Sequence, residues 1–204
     1  CNFINDTIKS PLLVTPLCGE YTIGGVNPDF ATFNAASTAL NLAGIVCPVV
    51  FKVRNGTYNE QIELGTILGN NALNTITFES QNGDSSLAIL HYQTANSIRD
   101  YSFSVNGVDY LTIRDLGILR TNGSYSVLIA NNSHHISLTN SKLGNIYSPP
   151  TSCDSLISIT NNTTGSIDIN STSNIRATGI VITNNSINTS LSSSIATNYG
   201  INLK

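Results

Sequence analysis

Residues 110–139 read YLTIRDLGILRTNGSYSVLIANNSHHISLT. Tyr110–Leu116 and His135–Thr139 alternate apolar and polar side chains, and Ser126–Ala130 is read as a third strand between them. Alternation with period 2 describes a strand with one buried face. Turns rich in Asn, Gly, Ser and Thr lie between the three runs. The same strand–turn–strand phrase returns further along the chain. That return marks a solenoid, in which each turn of chain stacks on the previous one.

The repeats sort into two expected sets of strands. The first is Thr75–Glu79, Tyr110–Arg114, His135–Thr139 and Ser166–Asn170. The second is Ser102–Val105, Ser126–Ala130, Leu156–Thr160, Gly179–Thr183 and Gly200–Lys204. Steps from Ile113 to Leu138 to Ile169 are 25 and 31 residues, inside the roughly 20–50-residue window of stacked repeats. Loops of uneven length suit an all-β parallel β-helix better than a leucine-rich repeat. Ile113, Leu138 and Ile169 are therefore expected in one inner column. Alternation turns Glu79, Arg114, Thr139 and Asp168 outward, as outer-face candidates. Ser80, Asp115, Asn140 and Ser171 are expected at one corner as a polar ladder. Asn131-Asn132, Asn161-Asn162 and Asn184-Asn185 are expected at the other, where left-handed backbone is tolerated.

The pattern differs at the start. Residues 1–28 read as an irregular N-terminal segment, with Glu20–Ile23 as a short strand. From Asp29 to Ala43, Phe30, Phe33, Ala36, Leu40 and Ala43 recur at helical spacing. Asp29 is the expected N-cap and Gly44 the expected stop. A short Ala-rich helix needs a surface to cover, and an open terminal repeat is such a surface. Residues 29–204 thus read as a capping helix followed by rungs. The first residue is Cys1 and Gly200–Lys204 reads as a strand, so the chain is expected to be processed or partial, with rungs continuing beyond it.

Hydrophobic residues make up 40% of the 204 residues and charged ones only 10%, with a net charge of −3. Asn, Ser and Thr must then supply solubility. The absence of a basic block argues against nucleic acid as a partner. No apolar run is long enough to span a bilayer. Four cysteines allow three pairings. Cys18–Cys47 is the preferred pair because the two flank the first helix-and-strand unit, which leaves Cys1 and Cys153 as a second pair.

The stretch DFATFNAASTALNLAGIVCPVVFKVRNGTYNEQIEL, residues 29–64, resembles the opening of right-handed parallel β-helix proteins of the pectin-lyase-like superfamily. Pectin methylesterases begin with a similar helix, strand and GxYxE phrase. Gly19–Gly25, Pro28–Phe33, Pro48–Tyr58 and Asn74–Ser86 together resemble segments of large secreted surface proteins of Bacteroidetes. That resemblance implies a right-handed coil and export to the cell surface, often by a type IX route. It also makes Asp6-Thr7-Ile8 and Asp154-Ser155-Leu156 similar to that phylum's O-glycosylation motif, with Thr7 and Ser155 as acceptors. The QDT-like and GDFIFG-like phrases that would carry methylesterase chemistry are not in this sequence, so no catalytic residue is carried over.

The residues themselves also offer little catalytic chemistry. A polysaccharide lyase of this architecture needs carboxylates clustered on one outer face. Glu79 and Asp168 would lie three rungs apart, about 14 Å at ~4.8 Å per rung. Glu79 and Arg114 then read as a surface ion pair. Adjacent residues on a strand point to opposite sides, so His134-His135 cannot chelate one metal from a regular strand. No catalytic residue, metal site or cofactor is expected. The leading expectation is a non-catalytic, exported β-helix module for stalk, adhesion or glycan binding, with surface glycans or other surface proteins as partners. The alternatives are a polysaccharide lyase or esterase, and a structural filament or surface-layer component.

Overall fold

The computed structural model describes residues 15–93, 101–121, 125–149, 151–169, 178–192 and 202–203. It is mostly β, with one helix among these residues, and every strand pairing is parallel. Strand β1 (Leu17–Ile23) precedes helix α1 (Phe33–Ala43). The chain then makes successive passes: β2 (Ile45–Val53), β3 (Gly56–Tyr58) and β4 (Ile62–Leu64); β5 (Ile76–Ser80), β6 (Ala88–Gln93) and β7 (Phe103–Asn106); β8 (Asp109–Arg114), β9 (Gly117–Thr121) and β10 (Val127–Ala130); β11 (His134–Thr139), β12 (Lys142–Leu143) and β13 (Ile146–Ser148). Later passes are β14 (Ser158–Thr160) with β15 (Thr163–Ile169), then β16 (Val181–Thr183) with β17 (Ser186–Ser192), then β18 (Asn202–Leu203).

Each pass adds one strand to a first sheet, ordered β1-β2-β5-β8-β11-β14-β16-β18. The remaining strands form a second sheet, β3-β6-β9-β12-β15-β13-β10-β7-β4, with β17 beside β15. Strand β15 pairs with β12 at its start and with β13 at its end, so two rows of short strands merge in it. Parallel neighbours need a long connection between them, and here the second sheet is that connection.

Register fixes the core. Phe51, Phe78, Ile113, Leu138, Ile159 and Ile182 follow one another across the first sheet, and all are buried. Ile113 and Leu138 share a column as expected, but Ile169 does not. It is buried in the second sheet, paired with Ser148. Ser166–Ile169 thus belongs to the second sheet, while the described strands within Leu156–Thr160, Gly179–Thr183 and Gly200–Lys204 belong to the first, the reverse of the expected sets. The physical reason is that alternation reports an inner and an outer side but not which sheet a strand joins. The pass after Leu138 is shorter than those before it and reaches Ile159, not Ile169.

One corner carries a continuous polar ladder. Asp115, Asn140, Asn161 and Asn184 follow strands of the first sheet, each at positive φ. Their backbone N–H groups, from Asp115 to Asn161, donate to the carbonyls of Thr139, Thr160 and Thr183 on the next pass. Asn161 and Asn184 thus share the corner of Asp115, and Asn131-Asn132 alone of the three expected pairs marks another. Just inside lie Ser141, Asn162 and Asn185. Asn162 Oδ1 accepts from Ser141 N–H at 2.9 Å, and Asn185 Oδ1 accepts from Asn162 N–H at 2.9 Å. Their amides donate to the Leu138 and Ile159 carbonyls at 2.9 and 2.8 Å.

The helix starts later than expected. Thr32, not Asp29, is the N-cap, its hydroxyl accepting from Ala35 N–H at 3.0 Å. Asp29 instead accepts from the Thr22 backbone and hydroxyl, both at 2.7 Å. Those two bonds hold its carboxyl below the ordinary value against a small opposing effect of burial. Gly44 ends the helix at φ 68°. Phe33, Ala36 and Leu40 are fully buried over the first pass, and large side chains of this kind contribute roughly 1.5–3 kcal/mol each. The GTYNE phrase locks this cap. Tyr58 packs edge-on against Phe33 at 5.2 Å and donates to the Ile23 and Arg54 carbonyls. Glu60 accepts from Phe33 and Asn34 N–H at 3.2 and 2.8 Å, where the helix dipole favours negative charge. Gly24, at φ 74°, leaves room for Tyr58, whose hydroxyl and ring an added Cβ would strike.

Cys18 and Cys47 form a disulfide between β1 and β2, with Cα atoms 4.9 Å apart. Strand β1 begins at Leu17, so part of the segment read as irregular belongs to the first sheet. Cys153 carries an exposed free thiol. Its proposed partner Cys1 lies outside the described residues, as does Thr7.

Candidate functional site

The outer face of the first sheet is built from residues in continuous register. Inward residues Leu111, Ile113, Ile136, Leu138, Ile157 and Ile159 are buried, which turns the residues between them outward. Register lines these up in rows. Thr77, Thr112, Ser137 and Ser158 make one row. Lys52, Glu79, Arg114, Thr139, Thr160 and Thr183 make the next. The serines and threonines are half-buried, so their side chains remain partly open to solvent. Ser158 Oγ and Thr160 Oγ1 are hydrogen bonded at 3.1 Å.

An apolar strip borders the hydroxyl rows where the strands begin. Tyr110 and His135 stack with centroids 4.2 Å apart and planes 9° from parallel. Leu156, next in line, is 47% exposed. All three residues sit at positive φ, at 47°, 57° and 55°. The repeated left-handed residue lies at the same position of consecutive passes. Alongside, the Ser155 hydroxyl and His134 Nδ1 are hydrogen bonded at 2.7 Å. Asp109 accepts from the His134 backbone N–H at 2.9 Å. Alternation could not have found the stacked pair, because a left-handed residue re-aims its side chain.

The other end of the face is charged. Glu79 points outward by register but is only 3% exposed, because Lys52 and Arg114 close over it from the neighbouring strands and both pair with its carboxylate. The expected surface pair is a covered triad. Burial pushes the Glu79 carboxyl up, and the two cations with their hydrogen bonds outweigh it, leaving the group below its ordinary value. Asp168, expected on the same face, lies in the second sheet between Tyr147 and Ser192. Its Oδ1 is buried without a hydrogen-bond partner. Glu79 and Asp168 therefore share no face.

Asp154 and Ser155 have distinct places. Asp154 is fully buried and accepts from Ser133 N–H and from the Ser148 and Ser152 hydroxyls. Ser155, the candidate acceptor, is half-buried against His134. A separate open cleft of about 440 Å³ lies beside the helix, lined by Asn34, Ser37, Thr38, Asn41, Gln61 and Glu63 among others. Asn41 bridges it, donating to the Glu63 carbonyl and accepting from Gly65 N–H. Among the described residues no three His, Cys, Asp or Glu side chains converge as a metal site, and no helix is long and apolar enough to cross a membrane.

No protein-family model matches the chain, and no curated protein or solved structure matches it.

Proposed function

We propose that this chain is a non-catalytic, exported module built as a right-handed parallel β-helix, which adheres to glycans through the outer face of its first sheet. The observation that carries this reading is the alignment of the Ser/Thr rows beside the Tyr110–His135 stack. Hydroxyls both donate and accept. A stacked aromatic edge offers the apolar surface that suits the C–H side of a sugar ring. The pairing of every strand of the first sheet with the next pass supports the β-helix. The Cys18–Cys47 disulfide favours an oxidising compartment such as the cell surface. The covered Glu79 and the distant Asp168 leave the face without a free acid pair, which favours binding over lyase chemistry.

A glycan array probed with the purified chain tests the reading. Retention on neutral glycans is expected, lost in the Thr139→Lys/Thr160→Lys variant. Turnover of pectate, alginate or a methylated uronan, or no retention on any glycan, arrayed or as insoluble polysaccharide, contradicts it.

A further inference from the structure

The hydroxyl rows repeat in two directions. Neighbouring strands stand about 4.8 Å apart, and outward residues along one strand about 6.6 Å apart. Ser137, Thr139, Ser158 and Thr160 form the centre of this grid, with Thr112 and Thr183 continuing it. Past Arg114 the rows carry no charge, so the grid has no complement for a polyanion. A single dissolved polysaccharide repeats along one direction and must give up its flexibility to lie on such a grid. A surface of chains already packed side by side repeats in two and has lost that freedom beforehand. Many weak contacts on a rigid face then add up without further ordering. The Tyr110–His135 stack and the exposed Leu156 edge the grid with apolar surface. Sugar rings use such an edge, whereas a layer of ordered water does not.

We infer that this face takes a neutral polysaccharide presented as an ordered, packed surface, in preference to a free chain of the same sugar. This rests on the glycan-binding reading and narrows it to one physical state of the ligand.

The test incubates the whole chain with microcrystalline cellulose and α-chitin powders, with the same polymers swollen to amorphous form, and with their soluble oligomers. The expected result is depletion onto a crystalline powder about tenfold stronger than onto its amorphous form, with no displacement by excess oligomer. Ser137→Lys/Ser158→Lys and the milder Thr139→Ala/Thr160→Ala are each expected to lose about tenfold in binding. Tyr110→Ala is expected to weaken it as well, and Thr57→Lys, at an exposed position of β3, leaves it unchanged. Melting curves for each variant separate lost binding from lost fold. Equal binding to amorphous polymer, or displacement by oligomers, overturns the inference and leaves the glycan reading standing. Crystalline binding that survives both face variants overturns it too. Binding to ice crystals with no retention on any glycan overturns both.

Discussion

The side-chain amide of Asn162 donates to the backbone carbonyl of Leu138, one pass below, at 2.9 Å. Asn162 is 2% exposed, and its Oδ1 meanwhile accepts from Ser141 N–H. One buried side chain thus bonds two backbone groups at the corner, from two successive passes. Asn162→Ala removes both bonds and leaves the Ser141 N–H without this acceptor, at about 1–3 kcal/mol. Urea unfolding is expected to show a loss of roughly 1–3 kcal/mol with little change in slope. A loss within the ~0.5 kcal/mol typical of surface substitutions contradicts the ladder.

Glu79 gives the pH dependence a direction. Its folded-state carboxyl titrates below the ordinary value of 4.5, so the unfolded chain takes up this proton first as pH falls. The stability that the Lys52–Glu79–Arg114 triad supplies is fully present above about pH 5 and is lost as pH drops through the folded value. Glu79→Gln is expected to be less stable at pH 7 and to show a shallower fall in stability between pH 5 and 3. Parallel curves for both proteins contradict the arrangement.

Reduction isolates the disulfide. Cys18 and Cys47 are 29 residues apart in sequence, and a closed loop of that length is worth roughly 3–4 kcal/mol in the chain-entropy account. Cys47→Ser is expected to lower the melting temperature by several degrees. Dithiothreitol is expected to have that effect on the native protein and none on the variant.

The helix cap is tested at Glu60. Its carboxylate accepts two N–H groups at the start of α1, so Glu60→Ala is expected to cost about 1–2 kcal/mol and Glu60→Gln less. Amide exchange of Phe33 and Asn34 is expected to rise before exchange in β8 or β11 does. Unchanged protection at those two amides contradicts the cap.

Much of the architecture was written in local pattern. Period 2 in His135–Thr139 marks a strand with Ile136 and Leu138 inward, and the 3.6-residue spacing of Phe33, Ala36 and Leu40 marks the helix. Both are set by which side chains a regular backbone turns to one side. What local pattern does not carry is long-range register. Ile159 and Ile169 alternate equally well, and only pairing decides that Ile159 continues the column of Leu138 while Ile169 enters the other sheet. For the same reason alternation alone assigns Asp168 to the face of Glu79, three rungs away, whereas pairing puts it in the other sheet. Burial of an outward residue was illegible as well, because Glu79 is covered by Lys52 and Arg114 from strands 27 and 35 residues away. The hydroxyl residues were visible as composition, but their alignment into rows depends on register, and the Tyr110–His135 stack depends on left-handed backbone at both residues.

The alignment of the rows is most directly tested by a distance. With Cys1 and Cys153 replaced by Ser and the Cys18–Cys47 disulfide intact, nitroxide labels are placed through Thr139→Cys and Thr183→Cys, which lie two strands apart in one row. Two strand spacings separate their backbones by about 10 Å. The account predicts strong dipolar broadening for this pair and clearly weaker broadening for Thr139→Cys with Asp168→Cys, on the other sheet. Absence of broadening between 139 and 183, or stronger broadening between 139 and 168, contradicts it.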